Sequence, residues 1–262
     1  VLKVSSDWNN VAIIGAGNIG RAIAKALAEK YHVIVTRRNI EEIRWLEEFG
    51  CEVMDNNVSA AQKADIIFIA VKPKDVLSVL SEIEGVVAGK IIVSFAALVR
   101  INEMKVVIKN AKLVRAMTNV CAEIGEGFTA YFTTDLDDDE QRKLEEILSQ
   151  LGDVIKVDDE EGIDVMTAFS GSMPAYIAKI VQSFIYAGLK SGLSAEVAKK
   201  VTLSVLKGVA GMLEKEDIES LIARVTTPGG TTIEGLTKLA KHGVEYAIID
   251  AMAATVEKAK KS

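Results

Sequence analysis

Histidine and cysteine are nearly missing from this chain, which holds two of each in 262 residues. Cys51 and Cys121 cannot build a disulfide framework or a zinc-ligand set, and reduced thiols in a cytoplasm are their plain reading. His32 and His242 lie far apart, and neither sits in a motif that suggests a catalytic base, so both are expected to be structural or exposed. No metal site is expected. Long apolar runs are also missing: none approaches a membrane span, and no signal-peptide pattern precedes the first strand, so a cytoplasmic protein is expected. Positive charge is in deficit too. The formal net charge is −6, which argues against an extended nucleic-acid surface. What remains, at 49% hydrophobic and 26% charged residues, is an ordinary globular chain with room for one large or two modest domains.

What the chain does have is one stretch that organises the rest. Val11-Ala12-Ile13-Ile14 is a short apolar strand, and Gly15-Ala16-Gly17-Asn18-Ile19-Gly20 then turns the chain into an apolar-faced helix. This is the G-x-G-x-x-G dinucleotide fingerprint between a strand and a helix, where its chemistry requires it. Gly15 makes the tight turn, Gly17 admits a pyrophosphate to the backbone, and Gly20 lets helix and strand pack closely. The unpaired N–H groups at the positive end of the helix hold the anion.

The second strand, Val33 to Thr36, ends in Thr36-Arg37-Arg38. An NAD-binding domain usually carries an acid there, to hold the free ribose 2′-hydroxyl. Two guanidiniums and a hydroxyl instead suit a 2′-phosphate, so NADPH is expected to be preferred over NADH. A helix is expected over Ile40 to Phe49, a weak strand at Glu52 to Met54 and a short helix over Ser59 to Lys63. Asp65 to Val71 reads as a central parallel strand, apolar on both faces, and Lys72-Pro73 ends it. Ligands in such sheets bind beyond the carboxyl ends of the strands, so Ala70, Val71, Lys72 and Pro73 should face the cofactor. The strand Ile91 to Ser94 ends likewise in Phe95-Ala96-Ala97, where small residues would let a flat ring approach the backbone. Further strands are expected at Leu113 to Met117, Phe128 to Thr133 and Asp153 to Val157. The acidic run Asp135 to Asp139 reads as a helix start favoured by the dipole.

From about Glu160 the strand pattern stops and apolar helices punctuated by glycine take over. The expected fold is therefore α/β. Residues 1–159 form an N-terminal Rossmann-type doubly wound sheet that binds NADP. Residues 160–262 form an all-α domain for substrate binding and dimerisation. Ala175 to Ser191 is apolar around most of its circumference, and Ser194 caps a second long helix. So much apolar helix surface is hard to bury within about a hundred residues, so an obligate homodimer is expected.

Two glycine-bearing turns in this half invite a site: Ser170-Gly171-Ser172-Met173-Pro174, and Thr226-Thr227-Pro228-Gly229-Gly230-Thr231-Thr232. The second brings bare N–H groups and hydroxyls to a helix start, which can hold a carboxylate; an ordinary proline–glycine turn with a threonine cap reads equally well.

The second turn closely resembles the signature of the pyrroline-5-carboxylate reductase family, with Gly235 and Asp250 beyond it. Ala70-Val71-Lys72-Pro73, Phe95-Ala96-Ala97 and Gly125-Glu126-Gly127 resemble loops of the same family, and the likeness covers nearly the whole chain. It implies an NADP- or NAD-dependent imine reductase that converts L-1-pyrroline-5-carboxylate to L-proline, in dimers or assemblies of dimers. By position, the cofactor would touch Gly15, Ala16, Gly17, Asn18, Ile19, Gly20, Thr36, Arg37, Arg38, Asn57, Ala70 to Pro73 and Phe95 to Ala97, with Asn119 near the nicotinamide ribose. The substrate carboxylate would sit on Val225, Thr227, Gly229, Gly230, Thr231 and Thr232.

A protonated cyclic imine is already a strong hydride acceptor, so near-attack positioning would carry most of the rate. The proton on nitrogen would come from Thr232 or a water, or the imine would bind already protonated. This chain departs from the family at Met117-Thr118-Asn119-Val120-Cys121, which lacks two prolines, and at Met173, which replaces a glycine. Two rival readings stand beside this one. A β-hydroxyacid dehydrogenase would use Lys179, and a non-catalytic NADP-binding regulator would sense redox state.

Overall fold

The structure is a computed structural model that describes residues 8–261. Its first half is one eight-stranded sheet. The strands are β1 (Asn10–Ile14), β2 (His32–Thr36), β3 (Glu52–Met54), β4 (Ile66–Ile69), β5 (Ile91–Ser94), β6 (Lys112–Met117), β7 (Gly127–Phe132) and β8 (Gly152–Lys156). They lie in the order β3-β2-β1-β4-β5-β6-β7-β8, and every pairing is parallel except β6 with β7. The order reverses between β1 and β4, the switch point at which an open α/β sheet binds its ligand.

Helices α1 (Asn18–Leu27), α2 (Asn57–Lys63), α3 (Val76–Ile83), α4 (Ile101–Val107) and α5 (Asp138–Leu148) cover the sheet. The period of two along β1 sends Val11 and Ile13 into one apolar layer and Ala12 and Ile14 into the other. The alternation recurs in β4, with Ile66 and Phe68 in the first layer and Ile67 and Ile69 in the second. All eight residues are almost fully buried, which explains why these strands read as continuous apolar runs.

One expected element differs. Ile40 to Phe49 is two 3₁₀ turns, Ile40–Glu42 and Arg44–Phe49. Only Ile43 and Leu46 of that segment are buried, and a spacing of three suits a threefold turn better than an α-helical stripe. Gly50 ends it at φ 86°, in the left-handed region. The acidic run behaves as expected. Asp137 accepts hydrogen bonds from the Asp139 and Glu140 backbone N–H groups and caps α5, while Asp135 takes Lys105.

The remaining helices are α6 (Glu160–Met166), α7 (Met173–Lys190), α8 (Ala195–Leu213), α9 (Ile218–Val225), α10 (Thr231–Lys241) and α11 (Val244–Lys261). Tertiary contacts divide the chain after Pro174 and return the stretch from Thr255 to the first unit; residues 175–254 form the second. This division has a physical cause. The wholly buried Arg115 on β6 donates to Glu160 at 3.1 Å and to Asp164 at 3.0 Å, which fastens α6 to the sheet. The segment Ser170 to Pro174 is also not an open turn. Thr167–Ser172 is a π-helical turn running from α6 into α7.

Within the second unit, α7 and α8 leave Phe184, Tyr186, Val197 and Val205 at least half exposed. Ile177, Ile180, Phe184, Leu193, Val201 and Val205 help line a nearly all-apolar groove of about 580 Å³. No helix among the described residues is long and apolar enough to cross a membrane.

Candidate functional site

The first site is a cleft of about 520 Å³ at the switch point. Of the expected cofactor residues it brings together Gly15, Ala16, Gly17, Thr36, Arg37, Arg38, Asn57, Ala70, Val71 and Lys72. Gly15 has φ 98°, and a Cβ there would lie 2.6 Å from Val71 Cγ1. A Cβ on Gly20 would lie 2.0 Å from the Gly15 carbonyl oxygen, so these two glycines let α1 start directly against the turn. Gly17 differs, since nothing lies within 4 Å of where its Cβ would be. It is also the N-cap of α1 and offers no side-chain cap, so the first N–H groups of the helix are left for a ligand. This empty cradle at a ten-residue helix fits a pyrophosphate.

The end of β2 carries the polar groups. Thr36 is buried and donates its hydroxyl to Asn57 Oδ1 at 2.7 Å, and Asn57 Nδ2 donates to Glu82 at 2.9 Å. Arg37 donates to the Ala16 carbonyl oxygen and pairs with Glu42. Arg38 is exposed and makes no hydrogen bond or ion pair with the described residues. Of the two guanidiniums expected to meet a 2′-phosphate, one is therefore occupied and one is free. Asn39, Glu42, Lys74, Asp75, Ser78 and Glu82 line the same cleft and escaped the sequence reading. Only Asn39, a short polar residue beside the arginines, carried any signal.

Other expected cofactor residues lie elsewhere. Asn18, Ile19, Gly20 and Pro73 do not line the cleft. Phe95 and Ala96 are core residues, and the Phe95 ring packs edge-on against Phe68 at 5.4 Å between centroids. Ala97 packs against a small cluster around Met117, Ala130 and Ile163. The next residue, Leu98, has φ 74° and is the only non-glycine in the left-handed region among the described residues. Asn119 is buried. Its Oδ1 accepts from the Cys121 N–H at 2.9 Å, and its Nδ2 donates to Ser170 Oγ at 3.3 Å. Ser170 donates in turn to the Phe128 carbonyl oxygen, so this side chain of the π turn reaches β7. Burial pushes the Cys51 thiol up to about 11, so it is held as an unreactive thiol.

The second site lies wholly in the second unit. Val225 is exposed at the end of α9, and Thr226-Thr227-Pro228-Gly229 turns the chain into α10. Gly229 has φ 70°, and the Gly230 N–H donates to the Thr227 carbonyl oxygen at 3.0 Å. Gly230 is the N-cap of α10 and provides no side-chain cap, so the N–H groups of the first turn stay open. The threonine hydroxyls divide into two sets. Those of Thr226 and Thr237 are tied back to carbonyls at 2.7 and 2.8 Å, whereas the Thr232 hydroxyl has no partner among the described residues. An open helix start beside a free hydroxyl is fitted to a carboxylate. Lys179 does not have that character. It is exposed and donates to Gln182 at 2.9 Å, so the dehydrogenase alternative built on it is not favoured.

Comparison with known proteins agrees with both halves. Residues 10–98 match the family model described as NADP oxidoreductase, coenzyme F420-dependent, and residues 160–262 match the one described as pyrroline-5-carboxylate reductase dimerisation. The chain is 34% identical over 258 residues to the pyrroline-5-carboxylate reductase of Aquifex aeolicus, covering 96% of each. Among solved structures, it superposes on the Plasmodium falciparum pyrroline carboxylate reductase with NADP bound at TM-score 0.88 and 28% identity, covering 96% of this chain and 97% of that one. The pyrroline-5-carboxylate reductase of Coxiella burnetii gives TM-score 0.87 at 30% identity, covering 97% and 98%.

Proposed function

The chain belongs to the pyrroline-5-carboxylate reductase family, and from that premise we infer that it reduces L-1-pyrroline-5-carboxylate to L-proline with NADP(H) as cofactor. Bound in the cleft, the reduced nicotinamide supplies the hydride. The chain's own residues do the holding. The open N–H groups of α1 receive the pyrophosphate, Arg38 receives the 2′-phosphate, and the start of α10 takes the carboxylate of the imine. The uncapped start of α10, with its unpartnered Thr232 hydroxyl, is the observation that carries the substrate reading. Fixing a protonated imine by its carboxylate restricts how it can meet the hydride, and such positioning supplies a large share of an enzyme's rate. Thr232 is our candidate proton donor to the ring nitrogen.

We assign NADPH as the preferred cofactor, a reading supported by the free Arg38. Residues 160–262 are assigned to substrate binding and dimerisation, supported by the matching family model and by the apolar groove of α7 and α8. We take the homodimer to be obligate and to assemble further. We place the reaction in the cytoplasm, which is in keeping with two free cysteines. The deciding assay is NADPH oxidation with pyrroline-5-carboxylate, run beside a six-membered imine homologue and a panel of hydroxyacids. Turnover with the five-membered imine alone is expected. Turnover with hydroxyacids would return the dehydrogenase reading, and none at all would return the regulator.

A further inference from the structure

On the reading that the cleft takes NADP(H), we propose that Glu42 sets how strongly this chain discriminates NADPH from NADH, by occupying the donors that a 2′-phosphate would use. Arg37, Arg38, Asn39 and Glu42 line one cleft at the end of β2. The two carboxylate oxygens of Glu42 are spent on two different neighbours. Arg37 Nη2 donates to Oε2, and Asn39 Nδ2 donates to Oε1 at 3.2 Å. The second amino group of Arg37 is held by the Ala16 carbonyl oxygen, and the Thr36 hydroxyl is given to Asn57. Arg38 is thus the one cation of this group without a partner among the described residues.

A carboxylate that accepts one guanidinium N–H and one amide N–H satisfies the contacts a phosphomonoester would seek. Glu42 is therefore an internal substitute for the 2′-phosphate. With NADH bound, the neutral 2′-hydroxyl leaves the Arg37–Glu42–Asn39 set intact, and no ion pair is lost. With NADPH bound, a phosphate near −2 faces a carboxylate across the same two donors. Glu42 must then give up Arg37 and Asn39 or repel the phosphate across them. It stands in an exposed 3₁₀ turn, where it is free to swing away. The consequence is a cleft that accepts both cofactors, with a preference for NADPH narrower than Arg37 and Arg38 together would give.

The test uses the full chain. Dissociation constants for NADPH and NADH are measured by nicotinamide fluorescence, and those of 2′-AMP and AMP by calorimetry, in wild type, Glu42→Gln and Glu42→Ala. Both substitutions are expected to tighten NADPH and 2′-AMP by about tenfold, the scale of one freed charge-assisted hydrogen bond. NADH and AMP should stay within about twofold. Testing both variants keeps the new glutamine amide from explaining the gain. An unchanged NADPH-to-NADH ratio, or a weaker NADPH complex in both variants, overturns the proposal, since Glu42 would then only be bracing Arg37. A wild-type chain that binds neither dinucleotide overturns the cofactor reading itself, and the proposal with it.

Discussion

Arg37 and Arg38 are adjacent in sequence and unlike in surroundings. Arg37 ties the glycine turn to the end of β2 through the Ala16 carbonyl oxygen, while Arg38 is free. Arg38→Ala should therefore raise the NADPH Michaelis constant about tenfold, the worth of a charged hydrogen bond, and barely move that of NADH. Arg37→Ala should weaken both cofactors, because it loosens the turn that holds the pyrophosphate. Steady-state kinetics with each nucleotide separates the two. Thr232→Val keeps the shape and removes one oxygen. It should raise the Michaelis constant of the imine about tenfold with NADPH affinity unchanged. A fall in kcat beside it assigns Thr232 a part in the transition state. At this scale the sequence identified the residue types but not their commitments. That an arginine stands after Thr36 is written in the chain; that Glu42, five residues on, claims it depends on how a 3₁₀ turn folds back.

Among the elements, β1 and β4 were the most legible, because Val11 to Ile14 and Ile66 to Ile69 are apolar throughout and buried on both faces. Ile40 to Phe49 was misread because a turn burying only Ile43 and Leu46 looks like a short helix in composition. The π turn was invisible, since Ser170 and Gly171 resemble a loop until the contact with Phe128 is seen. The fastening of α6 to β6 was also hidden, and it makes a strong prediction. Arg115→Met would leave Glu160 and the buried Asp164 without their cation, although Arg100 still reaches Asp164 at 3.3 Å. A loss of roughly 3–5 kcal/mol in urea unfolding is expected, as for breaking any buried pair from one side. The cap of α5 adds an acid dependence. Backbone N–H donation, first from Glu140, holds the Asp137 carboxyl below its usual range. A depressed carboxyl stabilises the fold fully above its unfolded value near 3.8 and ceases to do so as pH falls through the lower folded value. Asp137→Asn, which keeps a capping oxygen, should therefore flatten the decline of Tm with acid below about pH 4, as followed by circular dichroism.

Taken whole, the chain's two-part plan and its helical second half follow from where the strand pattern stops, but the division after Pro174 does not, because it depends on the ion pairs of α6. The unmet apolar surface of α7 and α8 calls for a second copy. Phe184→Glu, at a position 61% exposed in the single chain, should yield monomers in light scattering at micromolar concentration while leaving the sheet's circular dichroism intact. The place of β1 has a further consequence. It lies between β2 and β4 with an apolar layer on each face, and Gly15 continues directly from it. In deuterated buffer the amides of β1 and β4 should exchange only by the rarest openings, hours after those of the 3₁₀ turns have been replaced. The glycine turn would thus be anchored to the last part of the molecule to yield, and its cradle should keep its shape whether or not a nucleotide is there to enforce it.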